Sequence, residues 1–393
     1  MPRKTDVPIT GSVLAWAIDE AGLSFTAFAQ KVGVPVEVVQ NWIDGDSHPG
    51  KTEFSRILET VRRPSAIFFM PQPPTQVDTP AAFRRAPGPQ GHVISPTTLR
   101  ELRKARRIQQ VMSWLLDDST EVRDLPIFNH HTLSSVEAGE SMRAYIGITI
   151  RQQAAWKDTG AALREWRRIV DELGILSFSL QLGKNDVRGF SAWDSRAPVI
   201  AVNTAYNESA QNFTIAHELA HLTARTESAC YGWVPPGSIE DPALERWCEE
   251  FAAAFLLPAR ELAEFVRKEY GVTNKEQVTD FDLAYRISRR LKVSARALAL
   301  SLIGASLAPR SLYPKIDARS QVVDRPRERD GGGGQATPEK RVNQYGARVS
   351  RTMTDAVAEG ALGLRDAADY LDVSLGDLQD IADSVHGRTQ AAR

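Results

Sequence analysis

At 393 residues the chain is too long for one ordinary domain, and two or three are expected. Hydrophobic residues make up 42% of it, enough for sizeable cores, and a net charge of −1 excludes any global pull towards nucleic acid or membrane. No apolar run approaches the roughly 18 residues of a membrane span, MPRKTDVPITG lacks the apolar stretch of a signal peptide, and two cysteines, Cys230 and Cys248, fit a reducing compartment, so a cytoplasmic protein is expected.

Residues 11–70 predict four short helices, Val13–Ala21, Thr26–Val32, Val36–Ile43 and Thr52–Val61, punctuated by Gly22, Gly33, Gly45 and Pro49. Ser24 is the candidate N-cap of the second. The string LAWAIDEAGLSFTAFAQKVGVPVEVVQNWIDGDSHP resembles an XRE-type helix-turn-helix. That resemblance implies a third helix offering Val36, Glu37, Gln40 and Asn41 to a DNA groove or a protein partner. Charge argues against DNA: residues 1–65 hold seven Lys/Arg against eight Asp/Glu, although Lys31, Lys51 and Arg56 could share a face. The preferred reading is a small bundle that docks a partner's own helix-turn-helix or packs on the rest of the chain.

The basic stretch lies further on, at Arg84, Arg85, Arg100, Arg103, Lys104, Arg106 and Arg107. Ser95-Pro96 opens a helix expected to run to about Leu116, with Leu99, Leu102, Ile108, Val111 and Leu115 as its apolar side. Its charges are read as a solvated face. Helices over Ser135–Ile146 and Gly160–Leu173 are expected to support a sheet from outside. Three strands follow, Ile175–Leu182, Arg188–Trp193 and Pro198–Asn203, separated by Gly, Asn and Asp.

The segment Ala210–Ala224 then predicts one helix carrying His217-Glu218-Leu219-Ala220-His221, an H-E-x-x-H pattern. At about 100° per residue, His217 and His221 lie roughly 40° apart on one face and can share a metal ion. Glu218 falls about 60° beyond His221, where a carboxylate can take a proton from a metal-activated water. Ala216 and Ala220 leave room beside them. A catalytic zinc site wants a third protein ligand, and the next helix, Asp241–Leu257, opens with Asp241 and Pro242 and carries Glu245. Glu249 and Glu250 compete with Glu245 as ligand. Glu249, one turn on, is alternatively placed to hydrogen-bond a ligand imidazole and fix its orientation. Cys248 on this helix and Cys230 in the intervening loop are read as small space-filling thiols, with a redox switch as the rival idea.

These residues resemble the ImmA/IrrE-type metallo-endopeptidases of bacteria and their phages. The similarity runs through RGFSAWDSRAPVIAVN, NFTIAHELAHL and ERWCEEFAAAFLLP, in order and with similar spacing, over roughly residues 170–310; RRPSAIFFMPQPP resembles a segment of longer family members. The resemblance implies a minimal zincin binding one Zn2+ per chain through His217, His221 and Glu245, with Glu218 as general base. It also implies a protein substrate, a helix-turn-helix repressor. The family usually shows Asn or Asp where this chain has Glu249. Tyr231, Tyr206 and Arg188 are candidates to stabilise the oxyanion.

Downstream, Phe281–Leu291 and Ala295–Ile303, joined by Lys292-Val293-Ser294, form a helix-turn-helix-like pair expected to cover the site or shape docking. Residues 317–343, with Gly331 to Gly334, read as a flexible linker before helical pieces at Gly346–Glu359, Leu364–Leu371 and Leu375–Ser384. The expected fold is α+β and mainly helical. Residues 1–70 are the bundle and 71–134 a connecting region. Residues 135–310 are a zincin-like domain of gluzincin type with a small three-stranded sheet. A linker over 311–344 and a C-terminal helical region over 345–393 complete it. The expected activity is zinc-dependent endopeptidase. The alternatives are a DNA-binding regulator that uses the peptidase-like domain as a sensor, and a prophage or toxin-antitoxin component.

Overall fold

The computed structural model describes residues 6–21, 23–61, 65–73, 95–116, 125–183, 187–225, 228–231, 242–316 and 337–391, with only the backbone described at 228–231. The chain divides into two units, Met1–Arg103 and Lys104–Arg393.

In the first unit α1 (Gly11–Glu20), α2 (Phe25–Val32), α3 (Val36–Asp44) and α4 (Lys51–Val61) enclose Val13, Leu14, Ile18, Phe28, Val39, Trp42 and Ile57. Ser24 caps α2 by accepting from the Ala27 amide, and Gly33 and Gly45 end α2 and α3 in the left-handed conformation. Lys31 and Lys51 are exposed, whereas Arg56 donates to the Val32 carbonyl at 3.2 Å. Arg84 and Arg85 lie outside the described residues.

The basic helix is α5 (Pro96–Leu115). Its charges correct the solvated-face reading. Lys104 pairs with Asp372 at 3.3 Å and lies over the Tyr345 ring; Arg107 lies over Tyr370; Arg106 donates to Gln109. Gln109 in turn donates to the Ala192 and Ala197 carbonyls, each at 3.0 Å. Residues far along the chain contact part of this face, which no local reading of charge reveals.

The second unit is built on β1 (Leu176–Leu180), β2 (Val187–Ala192), β3 (Val199–Asn203) and β4 (Ser228–Tyr231), in the order β1-β3-β2-β4. The three expected strands are present, and the fourth adds an antiparallel partner to β2. β1 and β3 run parallel; β2 and β3 antiparallel. Ile200 and Val202 join a core made with the helices on one side. On the other, Phe178 meets Tyr345 edge-on at 5.8 Å, from α14 (Pro338–Ala358).

Helix α8 (Thr159–Glu172) packs on β1 as expected, but α6 (Ser135–Ile146) does not support the sheet. It lies along α10 (Pro242–Leu256), with the Ser135 hydroxyl bound to Glu250 at 2.6 Å. Two further helices were not expected, α7 (Ile150–Ala155) and α11 (Ala259–Tyr270). Both are tied in by polar groups. Arg143 is buried over the Trp166 ring and donates to the Phe255 carbonyl and to Gln153, whose amide donates to the Leu291 carbonyl of α12 (Phe281–Leu291). Burial lowers the Arg143 guanidinium to about 10, with the charge of Glu261 acting against it. Helix α13 (Ala295–Gly304) follows α12 after a short turn.

Of the expected linker, residues 317–336 lie outside the described residues and 338–343 are helical, because α14 starts on the Thr337 cap. Gly346, at φ +85°, kinks α14 rather than opening it. The amide of Arg348, two residues on, donates to the Asp171 carboxylate of α8. Helices α15 (Leu364–Leu371) and α16 (Leu375–Ala391) complete the chain's described part.

Candidate metal centre

The motif helix, α9 (Glu208–Thr223), is launched from the end of β3. Asn203, fully buried there, donates to the Gly183 and Val187 carbonyls and accepts from the Leu182 and Ala205 amides at 2.8–3.3 Å. That fixes the turn, and the Asn207 side chain then caps α9 by accepting from the Ala210 amide. One turn before His217, Thr214 presses on β2. A Cβ built on Gly189 would meet Thr214 Cγ2 at 2.4 Å and the Ala201 carbonyl oxygen at 2.5 Å, so only glycine admits the helix this close. Asn203 and Gly189 hold the site and were missed from sequence. A glycine inside a strand-like run was the available signal.

Helix α10 lies against α9 and brings Glu245 to the two histidines. The Nε2 atoms of His217 and His221 are 3.1 Å apart, and the Glu245 oxygens lie 3.3 Å from each. A tetrahedral ion with bonds of about 2.0–2.1 Å separates neighbouring ligand atoms by roughly 3.3 Å. The observed spacings fit such an ion. His217, His221 and Glu218 are buried, and Glu245 is partly exposed, so the cluster opens on the carboxylate side.

The electrostatics demand positive charge at this point. Burial pulls the His217 imidazole down, but its hydrogen bond to Glu245 and the charges of Glu218, Glu245 and Glu249 outweigh it and raise its pKa. Burial pushes Glu245 up, yet the hydrogen bonds from His217 and His221 hold it well below the usual carboxylate range. A bound cation satisfies the same set of acceptors with both imidazoles neutral.

The other candidates fall out as follows. Glu250 is engaged by Ser135, away from the triad. Glu249 is exposed; its charge acts on His217, but it makes no hydrogen bond to a described residue. Tyr206 precedes α9 by two residues, eleven residues before His217, and the Arg188 guanidinium lies over its ring at 5.4 Å. Both therefore sit towards the far end of the helix. The side chains of Tyr231 and Cys230 lie outside the described residues; Cys248 is buried. In the first unit Glu37, Gln40 and Asn41 are exposed on α3, and Gln40 donates to Asp44 at 3.0 and 3.2 Å. Among the described residues no helix is long and apolar enough to cross a membrane.

Residues 170–302 match the family Peptidase_M78, described as the IrrE N-terminal-like domain. A curated relative, the radiation response metalloprotease IrrE of Deinococcus deserti, is 28% identical over 188 residues, covering 47% of this chain and 61% of the relative. The chain thus aligns with less than two thirds of the relative's length. The matched region, about a third of the chain, holds the sheet, His217, Glu218, His221 and Glu245, and it is this part that is similar to the IrrE N-terminal-like domain.

Proposed function

We propose that the chain is a zinc-dependent endopeptidase acting on a regulatory protein, a transcriptional repressor of the helix-turn-helix kind. The observation that carries this is the convergence of His217, His221 and Glu245 within bonding reach of one ion, with Glu218 buried beside them. Two imidazoles and a carboxylate suit zinc with one position open, and zinc, when bound, lowers the pKa of water and polarises a carbonyl. Similarity to a metalloprotease over the same residues supports the reading.

Glu218 takes the proton of the attacking water and later delivers it to the leaving amine. A substrate strand added to the sheet edge beside β4 is held by main-chain hydrogen bonds. Tyr231, on β4, is the remaining candidate for stabilising the oxyanion, since Tyr206 and Arg188 lie towards the other end of α9. Glu249 contributes negative charge near His217 without contacting it. The helix-turn-helix-like first unit recruits the substrate.

The rival reading is a regulator whose peptidase-like half senses metal without catalysis. A sensor needs the imidazoles but not Glu218, whose retention favours the enzyme. The test is incubation of the zinc-loaded chain with repressors encoded beside its gene, followed by mass spectrometry. One new pair of termini, absent with Glu218→Gln, is expected. Gene regulation in cells that survives Glu218→Gln unchanged overturns the proposal.

A further inference from the structure

Two of the helix pairs joined by short turns, α2–α3 and α12–α13, carry opposite exposed charges. On α3 the outward positions are Val36, Glu37, Gln40, Asn41 and Asp44, with Gln40 tied to Asp44. Residues 6–61 hold three Lys/Arg against eight Asp/Glu. This is the helix whose sequence suggests DNA reading, and it carries no Lys or Arg.

The second pair, α12 and α13, differs. Arg286, Arg289 and Arg290 are exposed on α12, while Ala284, Ile287, Ser288 and Leu291 are buried on its other side. Their i, i+3, i+4 spacing makes them neighbours about 5–6 Å apart. None is held in an ion pair or side-chain hydrogen bond by a described residue. No acidic residue lies between them, and residues 267–296 hold eight Lys/Arg against four Asp/Glu. Asp280 caps the start of the helix, Asp282 is exposed one turn before Arg286 at i, i+4 spacing, and Glu269 lies on α11 beside Tyr270. Tyr285, 41% exposed, adjoins the arginines and stacks on Phe281 at 5.3 Å.

Cations in a last helical turn also compensate the helix dipole. That accounts for Arg289 and Arg290 but not for Arg286, a turn earlier. The strip is firmly seated, because Asn212 of α9 donates to the Lys292 carbonyl at 3.3 Å in the turn after α12.

We propose that the exposed face of α12, with Arg286, Arg289 and Arg290, is a phosphate-binding surface for double-stranded nucleic acid. Three guanidinium groups against the single carboxylate of Asp282 on this helix face suit a uniform line of phosphates better than a mixed acidic peptide. The neighbouring α13 exposes Leu300 rather than amides, so the surface positions the protein without reading sequence.

The experiment is fluorescence anisotropy of the full chain with a labelled duplex of arbitrary sequence, across a salt series. Binding at low salt is expected, weakening as salt rises. Replacing Arg286, Arg289 and Arg290 by Glu should weaken it at least about tenfold and reduce the salt slope by about 2.7, at ~0.9 per phosphate contact. Circular dichroism checks the fold; should the Glu variant misfold, the corresponding Gln variant carries the same expectation. The proposal is overturned by absence of duplex binding at low salt, or by unchanged binding in a folded triple variant. Equal loss on Lys31→Glu with Lys51→Glu, or tighter binding of a Glu-rich peptide than of duplex, overturns it too.

Discussion

Glu245 and Asp171 are both carboxylates drawn out of water in the second unit, and they have moved in opposite directions. Glu245 is held far below the usual range because two imidazoles converge on it. Asp171 is pushed up to about 7 by burial, even though Arg167, Arg348 and the amides of Ser177 and Arg348 pull it back. At Asp171 the chain brings its own counter-charges: Arg167 also donates to the Ser177 hydroxyl, the Ser177 carbonyl and the Asn343 carbonyl. At Glu245 the neighbours are two nitrogens that compete for one small space 3.1 Å wide. The first arrangement joins α14 to α8 and β1 but leaves one buried Asp171 oxygen without a hydrogen bond. The second gathers three groups that could hold one metal ion, and on the proposed function it is the working site.

The comparison can be broken in several places. Glu218→Gln should lower peptide cleavage by roughly 10²–10⁴-fold while leaving metal content unchanged, as measured by initial rates on an identified substrate. Chelation should destabilise the protein by about 3 kcal/mol where free zinc had stood near 100 times its Kd, seen as a lowered Tm that restored zinc reverses. Unchanged stability would place the ion outside the fold's energetics. Gly189→Ala should cost roughly 1–3 kcal/mol in denaturant unfolding, because its methyl collides with Thr214 and pushes the motif helix off β2. A further effect concerns pH. Asp171 has a folded value near 7 against an ordinary 3.8, so protonation favours the folded state. Its contribution is fully present below about pH 4 and is lost as pH rises through 7. Asp171→Asn should flatten that part of the Tm-versus-pH curve; an unaltered slope would show that other groups set it.

What could be read from sequence divides along the same line. The histidine spacing, the helix that carries it and the three strands are products of local periodicity, and the observed α9 and β1–β3 lie within two residues of expectation. Glu245 was within reach because a helix four residues into its first turn has few acids to choose from; Glu250 is excluded only by Ser135, 115 residues away. The misreadings all depend on distant partners. The basic residues of α5 meet Asp372, Tyr345 and Tyr370, and α6 finds α10 rather than the sheet. β4 has four residues and no distinct alternation, so it becomes a strand only through β2. Gly346 looked like a helix start but is a kink, held where Asp171 accepts the Arg348 amide.

The central claim is that two imidazoles and one carboxylate, from the successive helices α9 and α10, grip a single divalent cation. Elemental analysis of the purified full chain, alongside His217→Ala, His221→Ala and Glu245→Ala, tests it most directly. The account predicts one zinc per wild-type chain and its loss or marked weakening in each variant. Wild-type protein that takes up no metal, or variants that retain a full equivalent, would contradict it.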